Sequence, residues 1–132
     1  MTLTKNNKDL VRRAFTPWED GDSGPFFELV ADDVKWTVIG STPVSGVYQT
    51  KQALIERAFG PLLEKLEGHM TTSLVDIVGE DEKIFLRFTS SGATKTGQRY
   101  EQTYCFAMVM RNDRIVEIVA YIDTDLLRRV LS

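Results

Sequence analysis

Residues 99–111 read Arg99-Tyr100-Glu101-Gln102-Thr103-Tyr104-Cys105-Phe106-Ala107-Met108-Val109-Met110-Arg111. Asn112-Asp113 follows, and then Arg114-Ile115-Val116-Glu117-Ile118-Val119-Ala120-Tyr121-Ile122. Two runs rich in β-branched and aromatic residues are thus separated by two residues suited to a tight turn, which predicts a β-hairpin. The two-residue period of a strand sorts the first run into faces. Tyr100, Gln102, Tyr104, Phe106, Met108 and Met110 share one. Glu101, Thr103, Cys105, Ala107 and Val109 share the other. The aromatic, methionine-rich face suits the adaptable wall of an apolar interior.

Upstream, the same period predicts strands over Met70 to Val78 and Lys83 to Ser90, with Gly79-Glu80-Asp81-Glu82 as a tight turn and Ser91 to Gln98 as a polar loop. The N-terminal half has helical spacing instead. Thr4 is the expected cap of a first helix through Leu10, Val11, Ala14, Phe15 and Trp18, strained by Pro17 and ended by Asp20-Gly21-Asp22. Ser23 is the expected cap of a short helix, Phe26 to Ala31, with Pro25 in its first turn. A strand from Val34 to Ile39 and a turn-rich loop from Gly40 to Gly46 come next. Thr50 is the expected cap of a third helix, which Gly60-Pro61 breaks or kinks before a stop at Gly68. Beyond the hairpin, Asp123 begins a last helix, Thr124 to Leu131. Helices segregated from a mostly antiparallel sheet predict an α+β fold in a single domain, 1–132.

The composition narrows the function. The net charge of −3 and scattered Lys and Arg argue against nucleic acid, which needs a concentrated basic face. No segment approaches the ~20 apolar residues of a membrane span, and the first residues carry no apolar signal core, so a cytoplasmic protein is expected. One His and one Cys supply no zinc cluster. No glycine-rich loop joins a strand to a helix, so no cofactor is expected. Cys105 reads as a buried reduced thiol.

Four stretches carry a resemblance: Val30-Ala31-Asp32-Asp33-Val34-Lys35-Trp36, the Gly40 to Tyr48 loop, Gly97-Gln98-Arg99-Tyr100, and Ala120-Tyr121-Ile122-Asp123-Thr124. In this order the chain resembles the nuclear-transport-factor-2-like superfamily, nearest its ketosteroid-isomerase and SnoaL-type polyketide-cyclase branches. The resemblance implies a conical barrel of strongly curved, mixed, mostly antiparallel sheet wrapped around helices. It also implies an apolar pocket and a homodimer.

The catalytic sets of the superfamily are poorly kept. Ala14 stands where ketosteroid isomerases have a tyrosine donor, Val38 where they have the base, and Gln102 or Tyr104 near the neutral acid. Of the epoxide-hydrolase set only Arg87 survives. Thr89 and Ala120 replace its aspartates, and Trp36 and Val38 replace its Tyr and Asn. The SnoaL-type reading needs one base beside a carbonyl, for which His69 and Asp123 are the candidates. The alternatives are that His69 simply starts a strand and that Asp123 caps a helix. Arg87, in an apolar strand, either faces solvent or binds an acceptor in the pocket; parity and resemblance favour the pocket.

The catalytic candidates are therefore Arg87, Tyr104, His69 and Asp123. The ligand-binding candidates are Trp36, Gln102, Phe106, Trp18, Thr89 and Ala120, with no metal. The expected function is cofactor-free proton transfer on a small apolar carbonyl compound, as in an isomerase, cyclase or lyase. A non-catalytic module for hydrophobic ligands and a dimerisation domain are the alternatives.

Overall fold

The computed structural model describes residues 2–68 and 70–132. Helix α1 (Leu3–Glu19) and the short α2 (Gly24–Leu29) lead into strand β1 (Val30–Val38) and the three-residue β2 (Gly46–Tyr48). Helices α3 (Lys51–Leu54) and α4 (Gly60–Lys65) flank a π-helical turn, Ile55–Phe59. Strands β3 (Thr71–Glu80), β4 (Lys83–Ala93), β5 (Arg99–Arg111) and β6 (Arg114–Ile122) and helix α5 (Thr124–Leu131) complete the chain. The strands form one sheet in the order β2-β1-β6-β5-β4-β3. Only the β1–β6 pair is parallel. The α+β expectation holds. The sheet has two free edges at β2 and β3, however, so the expected barrel is open along one side rather than closed.

Turn chemistry and two bulges decide what this sheet presents to the helices. Asn112 and Asp113 both have positive φ, 51° and 62°, as a two-residue hairpin turn requires. That turn pairs Met110 with Ile115, an odd residue opposite an even one. A bulge then shifts the register so that Val109 faces Glu117, Met108 faces Ile118 and Phe106 faces Ala120. A one-residue shift exchanges the faces of a strand. The bulge thus turns Ile118, Ala120 and Ile122 toward the same side as Phe106 and Met108. A second bulge, in β3 between Leu74 and Asp76, similarly puts Ile77 inside and Val78 outside.

The helices pack on the inward face. Val11 and Phe15 of α1, Phe26 and Phe27 of α2, and Leu54 and Ala58 join Trp36, Leu86, Phe88, Phe106 and Ile118 in one core. Trp18 sits among Phe15, Phe26, Phe27, Phe59 and Phe88, with ring centroids 5.2–6.3 Å away. Leu126 and Val130 of α5 pack with Leu66 and Tyr100 across one end.

Local chemistry explains most boundaries, and it moves several of the expected ones. The first helix begins at Leu3, because Thr2 rather than Thr4 accepts from Lys5 N; Thr4 Oγ1 instead accepts from Asp81 N. Ser23 makes no side-chain cap, and Asp22 Oδ1 takes the Gly24 N–H. Thr50 caps α3 as expected, accepting from Ala53 N. Pro61 has no N–H for the helical ladder, and the bond from Gly60 N to Ile55 O widens the turn into a π-helix. Only glycine fits there, because a Cβ on Gly60 would lie 2.8 Å from that oxygen. Strand β2 lies where only loop chemistry was legible.

Candidate functional site

Two chambers lie between the sheet and the helices. The inner one has a volume of about 80 Å³ and is lined by Trp18, Phe27, Trp36, Val38, Phe106, Ala120, Ile122 and Leu127, among others. The outer one, about 270 Å³, lies toward Gly21, Ser23, Leu66, Gly68, Met70, Thr72 and Ser90. Trp18, Phe59, Leu62, Tyr100 and Tyr104 line both, so the chambers adjoin. A single water needs about 10–15 Å³, so the inner chamber has room for more than one water-sized group. The π-helical turn hangs Ala58 and Phe59 over it, and α4 adds Leu62.

Of the residues shared by the two chambers, Tyr100 and Tyr104 carry hydroxyls, which lie 3.2 Å apart. Both sit on the inward face of β5, four residues apart, as the strand period demands. Tyr104 lies flat on Phe88, with ring centroids 4.5 Å apart and planes 5° apart. Gln102 Nε2 donates to Tyr100 Oη at 3.3 Å. Burial raises the Tyr100 phenol above its usual range, although the Gln102 amide donating to its oxygen opposes the shift. Burial raises Tyr104 much further, and the neighbouring Tyr100 adds to the rise. Both phenols are therefore neutral at physiological pH and act as hydrogen-bond donors. In the outer chamber Thr72 and Ser90 pair through their hydroxyls at 3.1 Å.

The structure brings together Tyr104, Trp36, Trp18, Phe106 and Ala120 on one cavity. Gln102 is 1% exposed and stands behind Tyr100, so it acts on the cavity through that tyrosine rather than by contact. Tyr100 is a polar cavity residue that the sequence candidates omitted. Its signal was its parity with Gln102 and Tyr104.

Three candidates leave the site. Arg87 is on the outer face of β4, with its side chain 56% exposed, and forks onto Asp76 at 2.8 and 2.6 Å. Thr89 is exposed on the same face. The reason is register. The loop between β4 and β5 closes with Ala93 opposite Arg99, which places Phe88 opposite Tyr104 and Leu86 opposite Phe106. Directly opposed residues share a face, so Ile84, Leu86 and Phe88 are inward while Phe85, Arg87 and Thr89 point out. The Arg87 hydrogen bonds hold the Asp76 carboxyl below its ordinary range.

Asp123 is exposed and caps α5, its Oδ1 accepting from Leu126 N at 3.1 Å. Its backbone, not its carboxylate, reaches the tyrosine network, through Gln102. His69 lies outside the described residues. Cys105 is half-buried on the outer face rather than within the core, and burial pushes its thiol up. Arg87→Ala is expected to leave binding of apolar ketones unchanged in calorimetric titration. A loss of binding would return Arg87 to the site.

A six-stranded mixed sheet with helices on one face, enclosing an apolar cavity with a paired-tyrosine donor, defines an α+β pocket protein of the nuclear-transport-factor-2-like kind. A family model described as a SnoaL-like domain matches residues 11–118, and the chain belongs to that family. Uncharacterized protein Rv0034 of Mycobacterium tuberculosis is 24% identical over 110 residues, 83% of each chain. Bal32a, from a soil-derived mobile gene cassette, superposes with a TM-score of 0.83 at 17% identity, covering 99% of this chain and all of that one. A putative SnoaL-like polyketide cyclase from Jannaschia sp. CCS1 superposes with a TM-score of 0.75 at 15% identity, covering 100% of this chain and 95% of that one. Among the described residues, no helix is long and apolar enough to cross a membrane.

Proposed function

We propose that the chambers bind a small, mostly apolar compound through one carbonyl-type oxygen, to which Tyr104 donates, and that the bound compound is enolised by cofactor-free proton transfer. The observation that carries this reading is the pair of neutral phenols on an otherwise apolar inner chamber. A ligand site is commonly built in this way, from an apolar wall and a few orienting polar groups. Removing a proton beside a carbonyl puts negative charge on its oxygen. A fixed donor in a dry cavity stabilises that charge as it develops. The SnoaL-like membership and the fold shared with the Jannaschia protein agree with chemistry of the isomerase or cyclase type. In this reading His69, flanked in sequence by Gly68 and Met70 of the outer chamber, takes the proton.

A second reading is a binding module without turnover. It is favoured by the absence of any carboxylate, imidazole or amine among the described residues lining the inner chamber. Titrating 1-indanone, a compact enolisable ketone, separates the two. Both readings expect the melting temperature to rise with ligand concentration by linkage. The catalytic reading also expects hydrogen–deuterium exchange at the ketone's α-carbon in D2O, well above the buffer rate and lost in His69→Ala. Exchange at the buffer rate with a raised melting temperature would leave only the binding module. No rise with any apolar ketone would sink both.

A further inference from the structure

The orientation of the Gln102 amide is fixed by backbone groups. Its Oε1 accepts from Asp123 N at 2.8 Å and from Thr103 N at 3.0 Å. Two N–H donors can face only the carbonyl oxygen of an amide, so the group cannot flip. Its Nε2 then donates to Asp123 O at 3.1 Å and to Tyr100 Oη at 3.3 Å, which uses both amide protons. Tyr100 and Tyr104 bring two further protons, and one fills the bond between them. Among the described residues the other has no protein acceptor, and both rings line the cavity. With Gln102 donating to Tyr100, the cooperative order runs Gln102 to Tyr100 to Tyr104. The surplus proton then lies on Tyr104.

We propose that Gln102 is a specificity-determining residue: acting through Tyr100 and Tyr104, it makes the cavity a hydrogen-bond donor. The cavity thereby selects ligands whose oxygen only accepts, such as ketones and quinones, over hydroxyl-bearing compounds of the same skeleton. The proposal rests on the reading of Tyr104 given above and names the chemical class that site takes. Gln102 itself touches no ligand and is a positioning residue.

Gln102→Glu reverses the polarity with little change of shape. One carboxyl oxygen still meets the Asp123 and Thr103 N–H groups. The other, whether ionised or protonated toward Asp123 O, accepts from Tyr100, and Tyr100 then accepts from Tyr104. No phenolic proton is left, and the cavity meets an acceptor. Calorimetric titration with 1-indanone, which only accepts, and 5-indanol, which also donates, reads the change. The wild type is expected to prefer the ketone by about five- to tenfold, the worth of one hydrogen bond. The Glu variant is expected to prefer the phenol by a similar factor. Adding Tyr100→Phe to Gln102→Glu cuts the relay, frees the Tyr104 proton and restores the ketone preference, which loss of packing alone would not do.

An unchanged preference in the Glu variant, or no restoration in the double variant, overturns the proposal while leaving the binding site in place. Should the Glu variant not fold, Tyr100→Phe alone is expected to keep a preference for 1-indanone over indane, and Tyr100→Phe with Tyr104→Phe to lose it. Retention in both overturns the proposal. Failure of the wild type to bind either oxygenated probe refutes the underlying reading of the chambers as well.

Discussion

Phe88→Ala is expected to destabilise the protein by about 3–5 kcal/mol, the range for removing a fully buried phenylalanine. The melting temperature should then fall by on the order of 10–20 °C. Phe88 is 1% exposed and lies where three layers of the core meet. Its ring is 5.0 Å from Phe15 and 5.4 Å from Trp18 of α1, and 5.0 Å from Phe106 of β5. It also supports the face of Tyr104. Truncation would remove apolar contact on all these sides and open a void beside the two chambers, which the rigid sheet can close only in part. Phe85→Ala, three residues earlier on the solvent face, is the matched control and should stay near the wild type. Thermal unfolding of both variants tests the β4 register directly. Equal losses, or a larger loss at Phe85, would mean that the strand faces the other way.

That register was the step the sequence withheld. The period of β5 was legible because its two faces differ in chemistry, and its limits at Arg99 and Arg111 are those expected. The Asn112-Asp113 turn, the limits of β6 and of α5, and the Thr50 cap were legible for the same kind of reason: each depends on a few adjacent residues. In β4, Ile84, Phe85, Leu86 and Phe88 are apolar on both parities, so periodicity alone assigns no inward face. The assignment comes from how the polar loop before β5 closes, a nonlocal property. Arg87 and Thr89 went to the wrong side with it. The bulge after Val109 is nonlocal in the same way, yet Ala120, a candidate from the resemblance, does line the cavity. Asp123 had two readings open, and the local one, the helix cap, is what the structure holds. The site itself was half legible: its apolar wall and Tyr104 follow from strand parity. The role of Tyr100 and the indirect role of Gln102 needed the backbone groups that Asp123 and Thr103 supply.

The second large effect is expected at Tyr104. If its hydroxyl meets the oxygen of an enolising ketone, Tyr104→Phe should lower the rate of α-carbon exchange by about 10²–10³-fold, the usual cost of losing one oxyanion donor. The effect should fall mainly on kcat, because the donor matters most once charge has developed, while KM for a small apolar ketone is set by the surrounding rings. Stability should change little. The variant keeps the aromatic face against Phe88 and loses one hydrogen bond, worth about 1 kcal/mol. The proton of Tyr100, freed by the change, is a poor substitute: its oxygen stands 3.2 Å from that of Tyr104, so a ligand must shift by about that distance to reach it. Misplacement on the scale of 1 Å already costs about 10²-fold. A wild-type exchange rate in Tyr104→Phe would exclude this tyrosine as the donor. A rise in KM and a fall in kcat together with a large drop in melting temperature would instead make it a packing residue of the cavity wall.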